Sequence, residues 1–149
     1  MAQVIKGDYA IKNAQTGMLL RIKDANSQNG TPLVAYYPEN WKCMTWNFIH
    51  IEGNVYKLQN LLTHKTFQAV NNSKSNNELE QQAFDSGSLN QQYEFESIDK
   101  DNYRIKLKGT ESYLTPANDK GAVNTKIVLV KKVNLKYQLW SIYKQSPSM

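Results

Sequence analysis

The chain has 149 residues, of which 40% are hydrophobic, and its formal net charge is +5 at pH 7. A chain of this length is the size of one typical domain and can bury a real core, whereas no apolar run approaches the roughly 18 residues of a membrane-spanning helix, which excludes insertion of that kind. Cys43 is the only cysteine, so an internal disulfide is excluded, and because MAQVIKGDYA lacks an apolar leader we expect a cytoplasmic location, with non-classical release left open.

The predicted elements are short strands, because apolar and polar residues alternate over stretches rich in β-forming residues. In chain order these stretches begin with YAIKN at residue 9, continue with YKLQN at residue 56 and reach YRIKL at residue 103. Turn-forming residues separate the strands at short intervals, for example at Thr16-Gly17, at Gly53-Asn54 and in the polar run 71–77. No apolar stripe persists at helical spacing, so the sequence predicts an all-β chain.

Residue types recur at an interval of 47 positions. The matching columns are Tyr9, Tyr56 and Tyr103; Thr16, Thr63 and Thr110; Leu20, Phe67 and Leu114; and Trp46, Tyr93 and Trp140. A unit of about four short strands cannot bury its own apolar face, whereas three units that close on one another bury a shared core and cover their edges. We therefore expect one domain over residues 1–149, with repeats at approximately 6–52, 53–99 and 100–146.

Each repeat closes with a related triplet. Gln138-Leu139-Trp140 reads Q-x-W, Gln91-Gln92-Tyr93 has a tyrosine as its ring, and Met44-Thr45-Trp46 lacks the glutamine. With the opening stretch YAIKNAQTGMLLRIKDANSQNGTPLVAYY, these triplets resemble the ricin-B-type lectins, in particular the cytosolic, disulfide-free lectins of mushrooms and some bacteria. The resemblance covers essentially the whole chain. It implies a β-trefoil of roughly twelve short strands with pseudo-threefold symmetry, and binding of glycans or glycoconjugates.

The three repeated rings allow a structural and a functional interpretation. Trp46, Tyr93 and Trp140 recur in every unit, and a large buried aromatic side chain supplies much of the apolar area of a small core. We therefore expect these rings to lie in the core and the binding residues to be polar neighbours.

The second repeat is the expected main binding site. The resemblance implies that a carboxylate, an aromatic ring and several amides hold the sugar. Gln82 and Phe84 supply an amide and a ring if this hairpin is one residue longer than the first, and Asn90-Gln91 matches the closing pair. The carboxylate position is Gln68, with Asn71 nearby.

The first repeat is the second choice. Arg21 stands at its carboxylate position, and Cys43-Met44 replaces the closing pair. Its candidate binding residues are Asp24, Asn26, Tyr36, Tyr37, Asn40 and Trp41.

The third repeat is expected to bind most weakly, because Thr115 replaces the carboxylate and Val130 stands where a ring is expected. Residues 100–149 hold ten Lys or Arg and three Asp or Glu, a net charge of +7. This charge would attract an acidic or sulfated glycan, although lysines that keep the protein soluble explain it as well. Nucleic acid is not an expected partner, because aromatic residues are not interleaved with the lysines.

Catalysis, metals and cofactors are not expected. His50 and His64 form no paired ligand motif, and Cys43, three residues before a predicted core ring, is typical of a small buried hydrophobe. The alternative function is a β-trefoil protease inhibitor that presents a loop carrying Lys12, Lys74 or Lys120. Because single sugar sites bind weakly, we also expect avidity from two sites of one chain or from a homodimer.

Overall fold

The computed structural model describes residues 4–70, 77–85 and 87–149. Within these ranges the chain forms twelve strands and short 3₁₀ turns, without an α-helix. The strands are β1 Gly7–Asn13, β2 Leu19–Ile22, β3 Leu33–Tyr36, β4 Trp46–Glu52, β5 Val55–Asn60, β6 Thr66–Ala69, β7 Asn77–Gln82, β8 Tyr93–Ser97, β9 Tyr103–Leu107, β10 Tyr113–Pro116, β11 Ile127–Val130 and β12 Trp140–Lys144. The 3₁₀ turns are Lys23–Ala25, Lys42–Met44, Leu89–Gln91 and Lys136–Gln138. None of the helical segments in the described ranges has the length and hydropathy to span a membrane.

Six strands close into an antiparallel barrel. β1 pairs with β4, β4 with β5, β5 with β8, β8 with β9, β9 with β12, and β12 with β1. This closure leaves no free strand edge in the barrel. The other strands form the hairpins β2–β3, β6–β7 and β10–β11, one in each repeat. A six-stranded barrel with three hairpins is a β-trefoil, which confirms the predicted fold class.

The ring that begins the last strand of each repeat lies in the shared core. Trp46, Tyr93 and Trp140 are buried, and each ring donates one hydrogen bond to a backbone carbonyl 26 residues earlier. The pairs are Trp46 Nε1 to Leu20 O at 3.2 Å, Tyr93 OH to Phe67 O at 2.7 Å, and Trp140 Nε1 to Leu114 O at 3.0 Å. Tyrosine can replace tryptophan here because both combine a large apolar ring with one polar donor.

Candidate functional site

The hairpin registers show which residues of the three repeats correspond. The residues at the start of β2, β6 and β10 lie 47 positions apart, and each pairs with a residue at the end of the following strand. The pairs are Leu19 with Tyr36, Thr66 with Gln82, and Tyr113 with Val130. The β6–β7 hairpin is therefore one residue shorter than the other two, not longer as the sequence alone predicts.

This register corrects the assignment of the ring position. Gln82 corresponds to Tyr36 and Val130, and Phe84, two residues further, corresponds to Pro38 and Lys132. Val130 therefore stands at the position of Tyr36 and Gln82, and Lys132 stands at the position of Phe84, so the third repeat has no ring at either position. Only the second repeat places an aromatic side chain at the position of Phe84.

Gln91 is a framework residue of the second repeat. It is 2% exposed, its Oε1 accepts a hydrogen bond from the Asp85 N–H at 2.9 Å, and its Nε2 donates to Gln68 Oε1 and to the Ala83 carbonyl, both at 2.9 Å. These bonds occupy both ends of its amide, so Gln91 holds the framework and does not serve as a sugar ligand, contrary to the prediction. Gln138 makes the corresponding bonds in the third repeat.

The outer face of the β6–β7 hairpin carries a polar cluster. Gln68 lies directly opposite Glu80 in the register, and the Gln82 amide donates to the Glu80 carboxylate at 2.6 Å. All three side chains are partly exposed. Their neighbours Phe67, Leu79 and Gln81 point inward and are buried, as strand alternation requires. The hairpin thus presents the Glu80 carboxylate and two amides on one face, and the second carboxylate of that face, Glu78, pairs with Lys126 at 3.2 Å.

Phe84 lies at the end of this hairpin and is partly exposed. The Lys57 ammonium lies 4.5 Å from the centre of its ring and also donates to the backbone carbonyl of Asp85. Lys57 is itself buried, and this burial lowers the pKa of its amine, while the Asp85 carboxylate acts in the opposite direction. A cation on one face of an aromatic ring is attracted to it, so Lys57 holds Phe84 in place from that face.

Asn90 completes the second-repeat site. It lies on the exposed 3₁₀ turn Leu89–Gln91, and the hydrogen bonds of the described residues include none from its side chain to the rest of the protein. Asn71, the other predicted residue of this site, lies outside the described residues.

Sequence reasoning missed Glu80 and Lys57. Glu80 supplies the carboxylate that the sequence lacks at position 68, but only the register of β6 and β7 places it opposite Gln68. Alternation in NELEQQ does indicate that Glu80 and Gln82 share a face. No sequence signal identifies Lys57, because YKLQN predicts an outward lysine whereas the structure buries it.

In the first repeat the structure brings together three of the predicted aromatic residues. The ring centres of Tyr36 and Tyr37 lie 5.8 Å apart, and those of Tyr36 and Trp41 lie 6.0 Å apart. Asp24 is exposed in the 3₁₀ turn Lys23–Ala25, and Asn26 and Asn40 lie in exposed loops. The Asn26 side chain accepts a hydrogen bond from the Gln28 N–H at 2.9 Å, which holds its own loop.

The third repeat contains a mainly apolar groove of about 670 Å³. Its lining residues are Thr115, Pro116, Ala117, Val128, Val130, Lys131, Val133 and Tyr137. Asn118, Asp119 and Asn134 are exposed and do not line it. The hydroxyl of Thr115 accepts a hydrogen bond from Gln138 at 3.0 Å, so the groove offers a sugar few polar partners.

Cys43, His50 and His64 are the residues considered for catalysis or metal binding. Cys43 is buried, and His50 and His64 are exposed. The His50 ring nitrogen lies 2.9 Å from the Gly53 carbonyl oxygen. Across residues 4–70, 77–85 and 87–149, no three His, Cys, Asp or Glu side chains form a group that could hold a metal ion.

Comparison with known proteins identifies a family that matches this chain. A family model described as ricin-type beta-trefoil lectin domain-like matches residues 42–130, which is more than half of the chain. A search of curated proteins finds no significant match.

Solved structures share the whole fold at low sequence identity. The designed threefold-symmetric protein ThreeFoil is 17% identical, with a TM-score of 0.87 over 93% of this chain and 99% of that one. The Rhizoctonia solani agglutinin is 17% identical, with a TM-score of 0.84 over 97% and 99%. The Macrolepiota procera ricin B-like lectin, solved in complex with lactose, is 16% identical, with a TM-score of 0.78 over 96% and 99%.

Proposed function

The chain belongs to the ricin-type β-trefoil lectin family, and on this premise we propose that it binds a saccharide non-covalently on the second repeat. The proposed site consists of Gln68, Glu80, Gln82, Phe84 and Asn90. The observation that carries this proposal is the combination of one carboxylate, two hairpin amides and a partly exposed ring in a single repeat.

Each group has a role that suits a pyranose. The partly exposed ring of Phe84 packs against the apolar C–H face of the sugar, while Lys57 lies over one face of the ring and supports it. The Glu80 carboxylate accepts hydrogen bonds from two neighbouring hydroxyls, and the amides of Gln82 and Asn90 can both donate and accept. A few convergent polar groups beside an aromatic surface are typical of a small-molecule site.

The ligands of similar proteins guide the choice of the first sugar to test. The Macrolepiota procera lectin is described with lactose, and the earthworm R-type lectin C-half with GalNAc. These ligands support galactose-type sugars as the first candidates, and lactose is the natural probe.

Titration of lactose followed by NMR tests this proposal. We expect Phe84→Ala to weaken binding about 2- to 10-fold, as the loss of an aromatic contact does, and Glu80→Gln about tenfold or more, as the loss of charge-assisted hydrogen bonds does. Tyr143→Ala is the matched control, because this partly exposed ring lies on β12, which pairs with β1 and β9 rather than with the hairpin. Unchanged lactose affinity in both hairpin variants would contradict the proposed site.

We propose that the protein has no catalytic activity. Cys43 is buried, and the described residues form no metal-binding group. The purified protein should hydrolyse neither glycosides nor peptides, and hydrolysis that disappears in Cys43→Ala would refute this.

The exposure of the hairpin rings favours a lectin over a protease inhibitor. Tyr37 is 58% exposed, and Tyr36 and Phe84 are partly exposed, whereas an inhibitor loop needs no such rings. Lys12 is exposed but lies within strand β1 and not in a loop, Lys120 lies in an exposed loop, and Lys74 lies outside the described residues. A cytoplasmic location and a homodimer remain our proposals, and they rest on the single cysteine and on the need for avidity.

A further inference from the structure

We propose that the first repeat forms a second site, which binds acidic saccharides through the guanidinium group of Arg21. This inference rests on the proposed function, because it takes the hairpin face as a sugar-binding surface and assigns a different substrate class to one repeat.

The position of Arg21 explains why its side chain is available. Gln68 and Thr115 stand at the same position in the other repeats, and each accepts a hydrogen bond from the closing glutamine of its repeat. In the first repeat the closing residue is Met44, which has no such donor or acceptor, and it is buried in the core. Among the described residues Arg21 is therefore not tied into a framework hydrogen bond, and it also carries a charge that the other two residues lack.

The charge of Arg21 is poorly compensated within the protein. Arg21 is only 9% exposed, and its buried Nε has no hydrogen-bond partner among the residues that the structure describes. In the described part of the chain, no carboxylate lies within 4.0 Å of it. Its guanidinium lies 4.0 Å from the centre of the Tyr36 ring. A buried charge without an ionic partner is costly, so an anion at this position would be favoured.

The exposed part of Arg21 faces a groove of about 360 Å³, a volume typical of small-ligand sites. The other lining residues are Ala25, Trp41, Cys43, Leu62 and Met149. These walls are almost entirely apolar, which strengthens any ion pair formed inside the groove. The groove thus combines a single cation with a flat aromatic wall.

This combination fits a sugar that carries one anionic group. The C–H face of a pyranose can pack against Trp41, while the planar guanidinium binds a carboxylate or a sulfate through two parallel hydrogen bonds. A neutral sugar would leave the arginine charge uncompensated. Nucleic acid binding draws its affinity from several phosphate contacts, whereas this groove offers one cation between apolar walls.

Titrations with acidic monosaccharides followed by NMR test the assignment. The probes are the methyl α-glycoside of N-acetylneuraminic acid, glucuronic acid and galactose 6-sulfate, and the two acid types show whether carboxylate or sulfate is preferred. We expect at least one of them to shift the Trp41 indole signal and the Leu62 methyl signals. Binding of inorganic sulfate as tight as that of every acidic sugar would overturn the saccharide part of the proposal.

Matched variants locate the anion-binding group. Arg21→Gln introduces the residue that the second repeat carries at this position, so we expect it to fold, and we expect it to weaken the acidic sugar about 10- to 100-fold. Arg21→Lys keeps the charge but loses the two parallel donors of the guanidinium group. Its affinity for the acidic sugar should therefore lie between that of Arg21→Gln and that of the original protein. Trp41→Ala should weaken the same sugar independently of Arg21. Acidic-sugar affinity that is unchanged in Arg21→Gln, or that depends on Phe84 instead of Trp41, would overturn the proposal.

The two proposed sites can fail separately. Lactose binding should be weakened in Phe84→Ala and retained in Arg21→Gln if the second repeat holds the lactose site. Binding of the acidic sugar should be retained in Phe84→Ala and weakened in Arg21→Gln. If the protein binds lactose as expected but no acidic sugar, only the inference about Arg21 fails. If it binds the acidic sugar through Arg21 but no lactose, the inference stands and the second-repeat site fails.

Discussion

Replacing Gln91 with methionine should destabilise the protein and also weaken sugar binding. Methionine is the residue that the first repeat carries at this position, and it nearly conserves the side-chain volume, so little cavity is created. The substitution removes three hydrogen bonds of 2.9 Å made by the almost fully buried amide, to Asp85, Gln68 and Ala83.

The cost follows from the number and surroundings of these bonds. Each contributes about 1 kcal/mol net, but Ala83 and Asp85 are exposed, so water can replace part of what is lost. We therefore expect the free energy of unfolding to fall by about 2–3 kcal/mol, which for a domain of this size lowers Tm by roughly 5–10 °C. Denaturant unfolding followed by tryptophan fluorescence measures this directly.

Gln138→Met is the matched control, because Gln138 is equally buried and makes the corresponding bonds at 2.9, 3.0 and 3.1 Å. Both variants should lose similar stability, but only Gln91→Met frees Gln68 and the segment that carries Phe84. Only that variant should therefore lose lactose affinity. Unchanged stability in both variants would refute this reasoning, as would a loss of lactose affinity in Gln138→Met alone.

Two further predictions concern the core rings. Trp140→Ala should lower the free energy of unfolding by about 3–5 kcal/mol in denaturant titrations, because it deletes a large buried ring and its hydrogen bond to Leu114; a cost below about 1 kcal/mol would contradict a core role. Tyr93→Phe should cost about 1–2 kcal/mol at pH 7, because the buried Phe67 carbonyl loses its donor. Burial raises the pKa of Tyr93 far above its ordinary value of 10.0. The contribution of its hydroxyl to stability is therefore complete below pH 10. It is lost as the pH rises further, because the Tyr93 hydroxyl then ionises in the unfolded chain but not in the folded one. The stability gap between this variant and the original protein should therefore narrow by pH 11, and a widening gap would refute the assignment.

The fold could be predicted because the 47-residue period repeats physical requirements as well as residue types. Trp46, Tyr93 and Trp140 each need one large cavity and one carbonyl acceptor, and the structure provides both in every repeat. A sequence shows such a requirement directly when the same apolar residue with a polar end recurs at constant spacing. The boundaries of the domain and of the repeats stay predictions.

The binding face could be predicted only in part, because it depends on pairing across a hairpin. Gln82 and Phe84 could be proposed from their spacing, but the polar run 71–77 carries no pattern that sets the register of β6 against β7. A one-residue error in that register changes which residues are neighbours. For this reason the residues predicted to correspond to Phe84 in the other repeats are wrong, and the position of Glu80 opposite Gln68 is not predicted.

The repeats also share a hydrogen bond that no residue-type pattern reveals, because a different residue donates it in each repeat. In every repeat, the backbone carbonyl just after the hairpin accepts a hydrogen bond from a side chain of a barrel strand or of the C-terminal segment. The pairs are Lys57 with Asp85, Arg104 with Val133 at 3.4 Å, and Gln145 with Glu39 at 3.0 Å. In the second repeat alone the donor also lies on the face of an aromatic ring, that of Phe84. The same ammonium group therefore fixes both the backbone and the ring of the proposed site before a sugar arrives, which reduces the ordering cost that binding would otherwise carry.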